Sequence, residues 1–253
     1  MRHRALLLAL IGAAAALAGC QSTQSKSAEL EQAAAKIANR KGLEVRRANP
    51  DVKVLGTSLL QSNYGVAVAV ELRNESGEGM RNVPISIDVL DAKGKTVFQN
   101  NAPGLEQGLI SYPVIEPGET VTWVNDQILA TGKPKEVKVK VGNAEALPGD
   151  LPEVEVSEPK LEVDPVSGIE ATGTVLNKST IPQDTLILYA VARKGGKVVA
   201  AGRGVIDRLK ANGKPASYHI FFIGDPKGAD VTVAAPPTTF EAAATAPEAG
   251  GTP

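Results

Sequence analysis

The chain has 253 residues, 27 basic and 28 acidic side chains, a formal net charge of −1 and one cysteine. Balanced charge without a basic patch argues against nucleic acid as a partner, and a single cysteine cannot form an intrachain disulfide. Aromatic residues make up only 4% of the chain, which argues against a lectin that relies on exposed rings. We therefore expect a core built from Val, Ile, Leu and Ala.

The N-terminus has the layout of an export signal. Arg2 and Arg4 precede an apolar run from Ala5 to Ala18, and small residues follow. A charged start, a short apolar segment and a small-residue cleavage site are typical of signal peptides. The run is shorter than the roughly 17–25 residues that span a bilayer as a helix. We predict a signal peptide over residues 1–19.

The signal ends in Leu17-Ala18-Gly19-Cys20, and this motif resembles the lipobox of bacterial lipoproteins. In that family the cysteine receives a diacylglycerol and becomes the mature N-terminus. The resemblance implies a lipid on Cys20, with palmitate-type acyl chains, and a location on the non-cytoplasmic side of an envelope membrane. Gln21 is not the aspartate of a retention signal, so an outer membrane is allowed if the envelope has two membranes. The alternative is an ordinary signal peptide followed by a coincidental cysteine.

Residues 20–48 are predicted to be a tether between the lipid and the folded part of the chain. Gln21–Lys26 is polar and Ser-rich, which is typical of flexible linkers. Ser27 is a suitable N-cap for a short helix over Ala28–Lys41, which would end at Gly42. Its apolar face is narrow and rich in alanine, so a partly helical stalk and a weakly docking helix are both open.

After Pro50 the apolar residues recur at every second position, which is the pattern of β-strands. The strand-like segments are Val66–Leu72, Val83–Val89, Thr96–Phe98, Thr120–Val124 and Val137–Val141. Turn sequences at Asp91–Lys95 and Pro117-Gly118 separate them. We predict an all-β first domain over residues 49–146. Trp123 belongs either to its core or, if exposed, to a contact site.

Residues 147–153 have the composition of a linker, and the strand pattern then begins again over residues 154–236. Three features recur in the same order in both halves. They are an Asn-x-Ser turn, a strand before a lysine-glycine turn, and a turn before an aromatic strand. These pairs are Leu72–Ser76 and Leu176–Ser179, Ile85–Lys95 and Leu186–Lys197, and Pro117–Trp123 and Asn212–Phe221. Two copies of about 100 residues suit tandem immunoglobulin-like β-sandwiches, with small barrels as the alternative. Residues 237–253 are predicted to be a disordered tail.

This order of features resembles the FxLYD-type domains, which are small immunoglobulin-like modules of bacterial envelope lipoproteins. The resemblance rests on Gly173–Asn177 and Leu188-Tyr189 in the second copy. The first copy departs from the pattern, with Val89–Asp91 where a Tyr-Asp pair is expected, and the second copy has Ala190 in place of the acid after its tyrosine. The family has no common catalytic residues, so the resemblance implies no catalytic site.

The sequence contains no recognisable catalytic set. His219 is the one histidine outside the signal, and Gly202-Arg203-Gly204 lacks the third glycine of a dinucleotide loop, so it is interpreted as a turn or a strand glycine pair. Acidic residues between Glu153 and Asp164 alternate with apolar ones, as on a solvated strand face, rather than gathering in a calcium loop. We predict no enzyme activity, no cofactor and no metal site.

The function that we expect is that of a non-enzymatic, membrane-anchored lipoprotein that binds or positions another envelope component, such as a protein partner. The alternatives are a small-ligand or glycan receptor that uses loops at one sandwich end, and a carboxylate-based hydrolase. For protein recognition, Val66–Val70 carries no charge or proline and is a candidate exposed sheet edge. The opposing interpretation is that Val66–Val70 is a fully paired central strand.

Overall fold

Sixteen β-strands and one 3-10 turn form the described part of the computed structural model, residues 42–166 and 168–240. The predicted all-β class is confirmed, and the sheets are those of a β-sandwich-like fold. The described elements all lie within the compact unit Leu43–Pro253. The predicted signal peptide, Cys20 and the predicted helix Ala28–Lys41 lie outside the described residues.

The first half of the described chain contains eight strands in two sheets. They are β1 (Val52–Ser62), β2 (Gly65–Asn74), β3 (Met80–Leu90), β4 (Thr96–Gln99), β5 (Ser111–Ile115), β6 (Thr120–Asn125), β7 (Glu136–Val141) and β8 (Glu145–Ala146). Sheet I has the order β1-β2-β6, and in sheet II the central strand β3 pairs with β4, β5, β7 and β8. The 3-10 turn, Gln107–Leu109, precedes β5.

The second half also contains eight strands in two sheets. They are β9 (Val154–Val156), β10 (Lys160–Asp164), β11 (Gly168–Asn177), β12 (Gln183–Lys194), β13 (Lys197–Leu209), β14 (Ala216–Phe221), β15 (Ile223–Gly224) and β16 (Asp230–Ala234). In sheet III the strands β9, β10 and β14 pair with β11, and sheet IV has the order β15-β13-β12-β16.

The two halves pair their strands in the same way. The strand that ends in the Asn-x-Ser motif, β2 or β11, is central in one sheet, and the next strand, β3 or β12, is central in the other. Asn74 and Asn177 also make matching bonds, since each accepts the backbone N–H and the hydroxyl of the serine two residues later. The predicted turn role of the Asn-x-Ser motifs is therefore confirmed. The division into two tandem immunoglobulin-like domains stays a prediction.

The predicted hairpin between β3 and β4 is present, and its turn has an evident cause. The Asp91 carboxylate accepts the backbone N–H groups of Lys93 and Lys95 at 2.8 and 2.9 Å. Gly94 has a φ of 77°, which a residue without a Cβ adopts freely. The turn therefore follows from its own residues.

Val66–Val70 is not a sheet edge, so of the two interpretations the paired central strand is the correct one. These residues lie in β2, which pairs with β1 along its whole length and with β6 from Val68 to Arg73. Both faces of the strand are buried, because Val68 and Val70 belong to the first-half core and Ala69 faces the second half. The missing charge reflects burial on both sides.

Strand β12 is also buried on both faces, which explains why every residue from Leu186 to Ala192 is apolar. Leu186 and Leu188 pack in the second-half core. Ile187 and Tyr189 instead pack in the cluster that forms the core of the first half. Sheet IV therefore contributes to both cores.

The predicted linker and tail are bonded to the sheets at their ends. At the start of the predicted linker, the backbone N–H of Leu147 donates to the Gly79 carbonyl. Thr238 and Thr239 donate their backbone N–H groups to the Gln183 carboxamide oxygen at 2.8 and 3.1 Å. The first residues of the predicted tail, up to Thr239, are therefore hydrogen-bonded to β12. Residues 241–253 lie outside the described part.

Candidate functional site

His219 lies on the outer face of β14, away from the core. Its side chain is 61% exposed, and its Nδ1 is 3.2 Å from Glu170 Oε2 on the neighbouring strand β11. A cross-strand pair of this kind is an ordinary surface contact. The structure therefore places the histidine in a contact that stabilises a sheet.

The acidic residues between Glu153 and Asp164 lie in and beside the two short strands β9 and β10. Glu153 and Glu155 both pair with Lys178, and Glu162 accepts a hydrogen bond from the Thr172 hydroxyl at 2.9 Å. In residues 42–166 and 168–240, no group of three or more His, Cys, Asp or Glu side chains is placed to hold a metal ion. The same residues include no helix that is long and apolar enough to cross a membrane.

Gly202-Arg203-Gly204 lies inside β13, so the interpretation as a strand glycine pair is confirmed. A Cβ on Gly202 would lie 2.1 Å from the carbonyl oxygen of Phe221, and one on Gly204 would lie 2.9 Å from a side-chain carbon of Ile220. Glycine is therefore needed for β13 to cross so close to β14. The arginine between the two glycines points toward the first half.

Arg203 connects the two halves through a buried charge. Its side chain is only 3% exposed, and its Nη2 is 2.8 Å from Glu106 Oε2. Its backbone N–H donates to Asp126 Oδ2 at 2.9 Å, while its Nε lies 3.6 Å from Asp126 Oδ1. The last distance is an ion-pair contact but is too long for a hydrogen bond.

The buried Arg203 side chain is only partly hydrogen-bonded. Among the described residues, buried atoms without a hydrogen-bond partner include Arg203 Nε and Nη1, Asp126 Oδ1 and the Tyr189 hydroxyl. Burial raises the pKa of the Asp126 carboxyl, although the Arg203 guanidinium lowers it, and burial also raises the pKa of the Tyr189 hydroxyl. Removing one member of such a cluster leaves the others as uncompensated buried groups.

Aromatic rings fill the interface beside this cluster. Tyr112 of β5 stacks on Tyr189 of β12, with ring centroids 5.1 Å apart and planes at 25°. Trp123 is fully buried and donates its indole N–H to the Gly108 carbonyl at 2.8 Å. Trp123 is therefore a core residue, as one of the two sequence interpretations held.

A second polar contact borders an open cleft between the halves. Arg193 Nη2 donates to the Thr122 hydroxyl at 2.7 Å and lies 3.6 Å from Glu71 Oε1. The cleft has a volume of about 420 Å³. It is lined by β1 residues, by the outer face of sheet I and by the β12–β13 hairpin: Gly56–Leu60, Ala69, Glu71, Thr122 and Gly196–Val198.

Sequence reasoning named Arg203 only as a member of a glycine-flanked triplet and did not find its partners. The available signal was a charged residue between two glycines in the otherwise apolar stretch Val198–Ile206, because a buried charge needs a partner. Glu106 and Asp126 carry no such signal. They lie in loops of the first half, which only the folded chain brings to β13.

Comparison of the chain with models of known protein families finds no match, and comparison with curated proteins finds none either. The interface around Arg203 and the cleft beside β1 are therefore interpreted from their own geometry.

Proposed function

We propose that this protein is a non-enzymatic lipoprotein, anchored through Cys20 to an envelope membrane, that binds or positions another envelope component with its β-sheets. The observation that carries the proposal is the sole cysteine directly after Leu17-Ala18-Gly19 and an apolar segment. Two or more acyl chains on that cysteine would hold the chain stably at a membrane, because each buried methylene contributes about 0.8 kcal/mol. The FxLYD-type resemblance of the two halves supports an envelope location.

The interface between the halves suits a protein that positions a partner. A buried arginine, a tyrosine stack and a shared core restrict the movement of one half against the other. A partner held by either half would then have a defined position relative to the tether. The open cleft beside β1 provides a surface for such a partner.

The anchor is tested with Cys20→Ala in the native cell envelope. The wild-type chain should sediment with membranes, incorporate labelled palmitate and have a mass that lacks residues 1–19. The Cys20→Ala chain should incorporate no label and should retain the signal, because the cysteine is needed for lipidation and for the cleavage that follows. Ser22→Ala serves as the control and should behave like the wild type.

The proposal fails if Cys20→Ala still sediments with membranes and has the same mature mass as the wild type. In that case the N-terminus would be an ordinary signal peptide, and another part of the chain would hold the membrane. In an envelope with two membranes, density-gradient separation of the wild type shows which membrane carries it.

A further inference from the structure

Six exposed lysines gather at one end of sheet II and on the outer face of β7. These residues, the basic end, are Lys93, Lys95, Lys133, Lys135, Lys138 and Lys140. The backbone N–H of Lys135 donates to the Leu90 carbonyl at 2.8 Å, so the segment before β7 lies beside the β3–β4 turn. Lys138 and Lys140 point outward, because the valines that alternate with them pair with core residues of β3.

No ion pair neutralises these lysines in residues 42–166 and 168–240. The lysines of that part of the chain that form ion pairs are Lys53 and Lys178. Three acids share the surface with the basic end, namely Asp88, Asp91 and Glu136. Six lysines against three carboxylates leave an excess of three positive charges, although the whole chain has a net charge of −1. The fold therefore creates a basic surface that the balanced composition conceals.

Exposed apolar side chains border the basic end. Leu129 is 86% exposed and Tyr64 is 55% exposed. Leu129 lies in the segment before β7, which is held to β4 by the backbone N–H of Thr131. Tyr64 follows the end of β1, where the Gln61 amide donates to the Pro134 carbonyl at 3.4 Å. A leucine and a tyrosine therefore lie at the rim of the lysine cluster.

This combination fits an anionic phospholipid surface better than a soluble polyanion. Each lysine near an anionic bilayer strengthens binding by about fivefold. A soluble polyanion would leave Leu129 in water, whereas at a bilayer an exposed leucine and tyrosine enter the interfacial region. The surface ends beyond Tyr64 at an acid, because Asp164 pairs in register with Gly168, which lies against the Tyr64 ring.

We infer that the basic end and Leu129 dock on the anionic phospholipid surface of the membrane that carries the lipid on Cys20. The inference rests on the proposed function and adds an orientation to it. An acyl anchor together with a polybasic patch gives stable membrane attachment. A chain of the length of residues 21–41 reaches at most about 70 Å, which is enough to let this end meet the membrane. Docking would turn the opposite end of β3, with the Asn74 turn, away from the bilayer.

The test uses the full-length, lipidated protein in vesicles of phosphatidylcholine alone or of an equimolar mixture with phosphatidylglycerol. Ala92→Cys places a thiol at an exposed position of the β3–β4 turn. Because the lipid occupies the Cys20 thiol, an NBD fluorophore can be attached to the new cysteine alone. Glu78→Cys, which is also exposed and lies beyond the opposite end of β3, gives the matched control probe. A spin-labelled lipid quenches only a fluorophore at the bilayer.

The probe in Ala92→Cys should be quenched in the mixed vesicles, and neither in phosphatidylcholine alone nor in Glu78→Cys. The double variant Lys133→Gln, Lys135→Gln should lower the ratio of docked to undocked protein by about 25-fold, as two factors of about five. Lys210→Gln with Lys214→Gln removes the same charge from the exposed turn between β13 and β14 and should leave the ratio unchanged. Circular dichroism of each variant verifies folding.

Three results would overturn the inference. They are an unquenched Ala92→Cys probe in the mixed vesicles, equal quenching in phosphatidylcholine alone or in Glu78→Cys, and an equal loss in the two double lysine variants. Flotation of the wild type with phosphatidylcholine vesicles measures the anchor independently of the probe. Protein that floats without quenching keeps the proposed function and loses this inference, whereas protein that does not float loses the anchor, while the mixed vesicles still report docking.

Discussion

Replacing Asn177 with alanine removes the centre of the second Asn-x-Ser turn. Its Nδ2 donates to the Ile181 carbonyl at 2.8 Å and to the Leu209 carbonyl at 3.4 Å. Its Oδ1 accepts the backbone N–H and the hydroxyl of Ser179 at 3.0 and 2.7 Å. The residue is fully buried, so water cannot take over these bonds without opening the sheet.

The expected loss follows from these contacts. A typical intramolecular hydrogen bond contributes about 1 kcal/mol net, and a buried group left without a partner costs about 1–3 kcal/mol. Losing the short bonds and leaving buried carbonyls without a donor should lower the free energy of unfolding by about 2–4 kcal/mol. Asn177→Asp keeps the acceptor oxygens but loses the amide donor, so it should destabilise at least as much. Ser179→Ala should cost less, about 0.5–1.5 kcal/mol.

The first half supplies a matched experiment. Asn74 donates to the Glu78 and Glu116 carbonyls at 2.7 and 3.1 Å and makes the same bonds to its serine. Asn74→Ala should therefore cause a similar loss. Urea unfolding followed by circular dichroism gives the change as a shift of midpoint at constant slope. A loss below about 1 kcal/mol in either variant, with the slope unchanged, would refute the reasoning that the turn is a main stabilising element.

Three further predictions concern burial. Trp123→Ala should lower the free energy of unfolding by about 3–5 kcal/mol, and a loss below 1 kcal/mol in urea would contradict the buried position. Gly202→Ala should destabilise strongly, because its Cβ would meet the Phe221 carbonyl at 2.1 Å; an unchanged thermal midpoint would contradict this contact. Burial raises the pKa of the Asp126 carboxyl in the folded state, although the Arg203 guanidinium lowers it. The protonated carboxyl therefore contributes its full stabilisation below the unfolded-state pKa near 4. That contribution is lost as the pH rises through the folded-state pKa. The stability of the wild type relative to Asp126→Asn should therefore fall from pH 3.5 toward neutral pH, and a constant difference would contradict the shift.

Strands with one buried and one exposed face show their period of two directly in the sequence. In β3, Ile85, Ile87 and Val89 are fully buried while the residues between them are partly exposed, so the period of two is visible. Strand β1 was not found, because the bulge between Val54 and Gly56 shifts its alternation. Strand β5 is buried at every position and shows no alternation.

The features that the sequence concealed depend on contacts between distant segments. The sequence left Val66–Val70 open between an edge and a central strand, because a strand buried on both faces and an unprotected edge share one local pattern. The free edge is its neighbour β1, which only the pairing reveals. The Arg203 cluster likewise depends on Glu106 and Asp126 from the other half.

The last prediction concerns whether the halves stay together without a covalent connection. A protease site inserted between Gly149 and Asp150 falls in the exposed stretch of the predicted linker. After cleavage the two fragments should still co-elute in size-exclusion chromatography, because sheet IV contributes residues to the first-half core.

Adding Arg203→Ala to the cleaved protein should weaken that association. The change leaves the Asp126 carboxylate buried beside Arg203's former position, and breaking a buried pair in this way costs about 3–5 kcal/mol, which corresponds to more than a hundredfold in affinity. Lys178→Ala removes an exposed ion pair within the second half and should leave co-elution unchanged. If the fragments without any substitution separate and each keeps a β-rich spectrum, the halves are autonomous domains and Arg203 does not hold them together. If they co-elute and only Arg203→Ala releases them, the buried charge fixes the relative position of the two halves.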